Sequence, residues 1–263
     1  MRVPDNRFKR ALAERRPQIG LWSQLTNNVA AEILARAGFD WIVVDTEHAP
    51  NEPPGVLVQL QVLAASETAP VVRVAWNDAV LIKRLLDIGA QSLLVPYVET
   101  EDDARRAVAH TRYPPAGVRG VATNHRANQF GRIGDYLATA ASQLCLLVQI
   151  ETRRGLDNAG AIAAVDGIDG VFVGPSDLAA SLGHLGDVAH PAVQEAIAAI
   201  HARAARAGKP TGILAPAEAD ARRFADMGFT FIAVGSDVAL LARNADALAA
   251  KYGDLRARPA RSA

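Results

Sequence analysis

The sequence predicts a closed (β/α)8 barrel, an α/β fold in which eight parallel strands each lead into a helix. Three observations predict it. Apolar runs of strand length alternate with capped helical segments from one end of the chain to the other. Several of those runs are apolar at every position (Trp41-Ile42-Val43-Val44, Leu144-Cys145-Leu146-Leu147-Val148, Val171-Phe172-Val173), as strands covered on both faces are. Finally, 263 residues is about what one such barrel uses. A doubly wound open sheet is the alternative, but it usually has fewer units and a visible switch point.

Residues 18–23 read as the first strand, and the helix over 28–37 stops at Gly38. The second strand is 40–45; the helix after it, 53–65, carries proline in its first turn, where a missing N–H is harmless. The third strand is 71–75, and Asp78 caps the helix that runs to Ile88-Gly89. The fourth is 92–96, with Thr100 capping the helix 101–111. Strands five to eight fall at 144–150, 170–174, 211–214 and 231–234, with helices at 156–164, 191–207, 218–227 and 237–251. Two stretches break the rhythm. Residues 113–134 are rich in Pro, Gly, Arg and Asn and longer than a structural connection needs. Residues 254–263 are basic and polar and are expected to be disordered, which leaves 1–253 as one domain.

The 28 basic side chains balance the 28 acidic ones, so no field draws this chain to nucleic acid or to an anionic membrane. The single cysteine, Cys145, lies in an apolar run and is expected to be a buried thiol. The first sixteen residues lack the apolar stretch of a signal peptide, and nothing approaches a membrane span. A cytoplasmic globular protein is expected.

Three of the strands end in or just before an acid: Asp45, Glu151, and Asp177 shortly after its strand. A carboxylate is costly to bury unpaired, so these acids belong where the strands emerge, at the mouth that serves as the ligand crevice of such barrels. Glu151 and Asp177 come from successive strands with nothing basic beside either in the sequence. Converging carboxylates share a proton or hold a hard cation, and the cation is the reading taken: Mg²⁺ or Mn²⁺, with Co²⁺ as a third candidate. The ordinary reading of each acid alone is a loop cap.

Asp45-Thr46-Glu47-His48-Ala49-Pro50 puts two acids and an imidazole just past the second strand. The plain alternative is a polar turn with a solvated histidine. At a barrel mouth, His48 is the acid–base candidate among six histidines. His110, His184, His190 and His201 are expected to be solvated, and His125 is undecided. Strand alternation points Arg73 inward with Val71 and Ala75, as a fixed cation for an anionic substrate or oxyanion, unless it snorkels to the rim. Gly174 and the N–H groups of Ser176 and Asp177 suit a substrate carboxylate at a helix start. None of the four lysines falls at a strand's C-terminal end, which disfavours a Schiff base.

These residues, in this order, resemble a family. The tokens are Gly38-Phe39-Asp40-Trp41 with Asp45-Thr46-Glu47-His48-Ala49-Pro50-Asn51, Arg73-Val74-Ala75-Trp76-Asn77-Asp78, Tyr113-Pro114-Pro115-Ala116-Gly117-Val118-Arg119-Gly120, Gln149-Ile150-Glu151-Thr152, and Gly170-Val171-Phe172-Val173-Gly174-Pro175-Ser176-Asp177-Leu178. Over about residues 20–253 the chain resembles the class II pyruvate aldolases of the HpcH/HpaI family. The resemblance implies reversible, divalent-metal-dependent cleavage of 4-hydroxy-2-oxo acids to pyruvate and an aldehyde, in the breakdown of aromatic compounds. It implies Glu151 and Asp177 as metal ligands and Arg73 as the enolate-stabilising cation. His48 matches the acid–base histidine, Asp45 an acid near the metal's bound water, and Glu47 lies in the same cluster. Asp87 matches an aspartate that pairs with that histidine from a neighbouring subunit. Gln149 matches a glutamine lining the substrate site.

The family's barrel is of the phosphoenolpyruvate/pyruvate type and exchanges its eighth helix between subunits, commonly in a hexamer built as a dimer of trimers. The run 238–248 matches that helix, although by itself such a helix is expected to pack on its own barrel. Residues 123–130 depart from the long-chain diacid-cleaving members, so the aldehyde stays open among succinic semialdehyde, glycolaldehyde, glyceraldehyde and other hydroxyaldehydes. Two competing readings stand beside this one. A phosphosugar isomerase or epimerase barrel would use Gly212 and Gly235-Ser236 as a phosphate cradle, and a non-catalytic barrel would serve as a binding or assembly module.

Overall fold

In a computed structural model, which describes residues 1–256, the chain closes into the expected barrel. The strands are β1 (Gln18–Ser23), β2 (Trp41–Asp45), β3 (Ala69–Arg73), β4 (Ser92–Val95), β5 (Cys145–Ile150), β6 (Gly170–Val173), β7 (Thr211–Leu214) and β8 (Phe231–Ser236). Each pairs in parallel with the next, and β8 returns to β1. The helices are α1 (Arg7–Ala13), α2 (Asn28–Ala35), α3 (Pro53–Leu63), α4 (Ala79–Asp87), α5 (Glu101–Thr111), α6 (Tyr136–Gln143), α7 (Arg153–Ala164), α8 (Pro175–Ser181), α9 (Pro191–Arg206), α10 (Glu218–Asp226), α11 (Asp237–Ala250) and α12 (Gly253–Arg256). The predicted caps are in place. Asp78 accepts from the backbone N–H groups of Val80 and Leu81, and Thr100 with Asp103 forms a full capping box.

Alternation along the strands divides the core in two. Trp41 and Val43 of β2, Val71 of β3, Cys145 and Leu147 of β5 and Phe172 of β6 fill the barrel interior. Their neighbours Ile42, Val44, Val72, Leu146, Val148 and Val173 pack outward against the helices. Cys145 is the buried thiol expected. The same parity, carried to the strand ends, sends Asp45, Arg73, Gln149 and Glu151 into the mouth. Asp45 and Arg73 sit side by side in register.

Four helices were not expected. Phe8 and Leu12 of α1 join the interior cluster, and Phe8 lies against Trp41 and Phe231, so the helix stoppers the end of the barrel opposite the mouth. Its signal in the sequence is two apolar residues among Arg7, Lys9 and Arg10. The short helices α6 and α8 sit inside the long connection before β5 and the loop after β6. The tail expected at 254–263 begins with three residues that belong to α12; its remainder lies outside the described residues.

The sequence alone leaves open which barrel the eighth-unit helix covers. Asp237 is the buried residue of α11: its carboxylate accepts from Gln24 N–H (2.8 Å), Leu25 N–H (3.1 Å) and the Ser23 hydroxyl (3.2 Å), tying the helix start to the end of β1. Beyond it, Val238, Leu240, Leu241 and Leu248 stand exposed rather than covering their own barrel. No helix among the described residues is long and apolar enough to cross a membrane.

Candidate active site

At the mouth lies a cavity of about 480 Å³, lined on its inner wall by His48, Arg73, Gln149, Gly174, Ser176 and Asp177. Asp45, Glu47 and Glu151 stand behind that lining.

Asp45 is fully buried, and each of its oxygens has three partners. Oδ1 accepts from Arg73 Nε (2.9 Å) and from the backbone N–H groups of Glu47 (3.0 Å) and His48 (3.3 Å). Oδ2 accepts from Arg73 Nη2 (2.6 Å), Trp22 Nε1 (3.2 Å) and Gln24 Nε2 (3.2 Å). Burial pushes its carboxyl upward, but the bonds and charge of Arg73 outweigh burial and hold it below the usual range. Asp45 is thus an anchor for the 45–48 turn and for Arg73, with no capacity left as an acid–base group.

Arg73 Nη1 also lies 2.9 Å from Glu47 Oε2. The two bonds to Asp45 use one N–H each, and the Nη1 contact is an ion pair without hydrogen-bond geometry, so three of the five guanidinium N–H bonds are not donated within the protein.

Glu151 is buried. Oε1 accepts from Tyr97 N–H at 2.8 Å, and Oε2 accepts from the Gln149 amide. Among the described residues no Lys, Arg or His forms an ion pair with it. Burial raises it to about 7; the bonds from Gln149 and Tyr97 oppose the rise, and the charges of Glu47 and Asp177 add to it. Burial raises Glu47 to about 7 as well, with Arg73 opposing and Asp45 and Asp177 adding. Gly174 is glycine for a steric reason: a Cβ there would come within 2.5 Å of Glu151 Oε2 and 3.0 Å of Gln149 Nε2.

Among the described residues no three His, Cys, Asp or Glu side chains form a metal cage by themselves. The donors present nonetheless suit a hard divalent cation. They are all oxygen, two near-neutral acids face a third carboxylate with too little positive charge, and Glu47 Oε2 and Gln149 Oε1 are buried acceptors without a hydrogen bond. Mg²⁺ commonly takes one or two carboxylates and leaves its other positions to water and substrate.

The structure thus gathers nine of the predicted site residues: Asp45, Glu47, His48, Arg73, Gln149, Glu151, Gly174, Ser176 and Asp177. His48 reaches the cavity with an open side chain, its Nε2 3.9 Å from Glu47 Oε2. Asp87 is elsewhere. It ends α4, accepts from Arg119 Nη2 at 2.8 Å, and does not line the cavity. The histidines expected to be solvated are held: His110 Nδ1 lies 3.1 Å from Asn77 Oδ1, His201 stacks on Phe229 and bonds Thr211, and His190 accepts from Ala192 N–H and stacks on His184.

Sequence reasoning missed Tyr97. Its N–H orients Glu151, its hydroxyl lies 3.4 Å from Asp177 Oδ1, and it holds φ at +52° to do so. The signal was its place two residues past the end of β4. Trp22 and Gln24, which hold Asp45, sit at and just past the end of β1.

The matched family model, HpcH/HpaI aldolase/citrate lyase, spans residues 18–244 and takes in every element that builds this mouth. The chain belongs to that family. Its members are aldolases and lyases of carbon–carbon bonds, and the chain is an enzyme of that class. A 5-keto-4-deoxy-D-glucarate aldolase of Citrobacter koseri is 59% identical over 233 residues, 89% of this chain and 91% of the relative. One of Escherichia coli O6:H1 is 57% identical over 90% of this chain and 93% of the relative. The crystal structure of a family protein from Burkholderia cenocepacia superposes with a TM-score of 0.91 at 45% identity, covering 94% of this chain and 98% of that one.

Membership also weighs on the phosphosugar reading. Gly212 is accounted for by the Phe231 ring pressed against it, and no phosphate cradle is needed to explain it. None of the four lysines lines the cavity, and Lys209 bonds the Ile168 carbonyl at 2.6 Å, before β7.

Proposed function

We propose that the chain is a class II pyruvate aldolase whose substrate is a 4-hydroxy-2-oxo acid of the 5-keto-4-deoxy-D-glucarate type. That compound, numbered from its keto end, is itself a 4-hydroxy-2-oxo acid, so the relatives' substrate and the site chemistry agree. Its cleavage yields pyruvate and 2-hydroxy-3-oxopropanoate, a sugar-diacid product rather than an aromatic-derived one. One observation carries the reading: Glu151 and Asp177 converge without a counter-charge beside the fixed guanidinium of Arg73.

Glu151 and Asp177 would hold the cation, Mg²⁺ or Mn²⁺, which supplies positive charge against the keto oxygen and carboxylate of a 2-oxo acid. His48 takes the proton of the C4 hydroxyl as the C3–C4 bond breaks and the aldehyde carbonyl forms. The bond's electron pair passes to the three-carbon fragment, leaving negative charge on its keto oxygen. Arg73 donates N–H bonds not spent on Asp45 to that charge and needs no reorganisation, because Asp45 and Glu47 already fix it. A proton then returns to the methyl carbon and pyruvate is complete. Glu47, beside both Arg73 and His48, orients the imidazole.

The test is proton NMR in D₂O, following pyruvate release and exchange of the pyruvate methyl protons together. Chelation with EDTA is expected to abolish both. His48→Ala is expected to lose most cleavage while keeping exchange. Cleavage that survives exhaustive chelation would overturn the reading.

We also propose a homo-oligomer, a hexamer with α11 exchanged between subunits. The exposed residues Val238, Leu241, Ala245 and Leu248 of α11 recur at steps of three, four and three, a seam that wants a second helix-binding surface. Asp87 would then meet the imidazole of a second copy. Sedimentation is expected to show a single oligomer at micromolar concentration; a stable monomer would refute the exchange and that pairing together.

A further inference from the structure

The cavity has a second end. Arg243 and Asn244 of α11 line it together with Arg73 and Asp177, about 9 Å along the helix from its start at Asp237. Arg243 makes no ion pair or hydrogen bond with another described residue, whereas Arg73 is committed to Asp45 and Glu47.

Charge is distributed unevenly along this cavity. Its inner end carries the carboxylates of Asp45, Glu47, Glu151 and Asp177 against one guanidinium. Asp177 is the only acid that lines the cavity itself, and none of the α11 residues that line it is acidic. A monoanionic ligand satisfied at the inner end would leave the outer guanidinium without an acceptor. A dianionic one would meet positive charge at both ends once the inner carboxylates hold their cation. The volume, about 480 Å³, is within the ~300–1,000 Å³ of small-molecule sites.

Helix geometry keeps this role separate from assembly. At 3.6 residues per turn, Ala239, Leu240, Arg243 and Asn244 share one side of α11. Val238, Leu241, Ala245 and Leu248 fall on the other. Covering the apolar seam with a second copy would therefore leave Arg243 facing the cavity of its own barrel.

We propose that Arg243 is the specificity-determining residue for a second carboxylate at the aldehyde end of the substrate, with the Asn244 amide beside it. The substrate class is then the 4-hydroxy-2-oxo dicarboxylic acids, and the aldehyde product a short hydroxyaldehyde acid. A guanidinium suits the role because its planar fork meets both oxygens of a carboxylate. This inference rests on the aldolase reading above.

A matched pair of aldehydes tests it. 2-Hydroxy-3-oxopropanoate and glyceraldehyde share one frame and differ in a carboxylate against a CH₂OH group. With pyruvate and Mg²⁺, kcat/KM is measured for each aldehyde with wild type, Arg243→Gln and Arg243→Lys. The ratio of acidic to neutral aldehyde is expected to fall about 10–100-fold in Arg243→Gln, through KM for the acidic aldehyde, and to recover in part in Arg243→Lys. An unchanged ratio, or equal losses with both aldehydes, would overturn the proposal. Failure of the aldolase reading looks different: wild type itself would then show neither condensation nor exchange of pyruvate methyl protons, and both ideas would fall together.

Discussion

Glu151→Gln is expected to lose divalent-metal binding and with it on the order of 10³-fold or more in turnover, since a metal ion acting on a carbonyl is worth several kcal/mol. The substitution keeps shape. Gln149 Oε1, an acceptor without a hydrogen bond, can turn to meet the new amide, so the fold should hold. Stability should move the opposite way from activity. Glu151 is raised from 4.5 to about 7, so its ionisation costs the folded protein nothing below pH 4.5 and the full penalty above pH 7. That penalty, roughly 3 kcal/mol for a shift of this size, disappears in the glutamine variant. Metal-free Glu151→Gln should therefore melt several degrees above metal-free wild type at pH 8 and level with it at pH 4.5. Calorimetric titration with Mn²⁺ and thermal melts at the two pH values decide it. Unimpaired Mn²⁺ binding by the variant would remove Glu151 from the ligand set.

Arg73→Lys is the second large effect. Charge is conserved, but Asp45 takes two parallel bonds from the guanidinium and Glu47 a third contact, a pattern one ammonium cannot reproduce. The oxygen that becomes negative on cleavage also loses its donors. A fall of ~10²–10³-fold in kcat is expected, with a smaller change in KM for pyruvate. Loss of ~1–3 kcal/mol of stability should accompany it, because Asp45 keeps its burial and loses part of its bonding. Steady-state kinetics and a thermal melt give both numbers. Near-normal turnover would make Arg73 a structural cation.

Much of this site was legible because it follows from parity. Once Val43, Val71 and Leu147 are assigned inward, Asp45, Arg73 and Gln149 must follow at the next inward position, and Glu151 after that. Caps at Asp78 and Thr100 were local and equally readable. Contacts between distant elements were not. The sequence places Asp45 at the mouth, but Trp22 and Gln24 from β1 turn it from a candidate acid into an anchor. Tyr97 is invisible as a partner of Glu151 until β4 and β5 are adjacent. The helix α1 escaped because two apolar residues make no periodic pattern, and the placement of α11 stayed open because composition cannot say which barrel a helix covers.

The stopper formed by Phe8 and Leu12 has a consequence for kinetics. Side chains fill the barrel interior above that stopper, so the site is a blind shaft entered from the mouth, with α11 on its rim. Two ligands lying in line in such a shaft obey last in, first out. On the proposed assignment the three-carbon fragment at Glu151 and Asp177 would sit behind the aldehyde, so in the cleavage direction the aldehyde is expected to depart first and pyruvate second. In the synthetic direction pyruvate is the leading substrate, and excess aldehyde in an empty shaft blocks its entry.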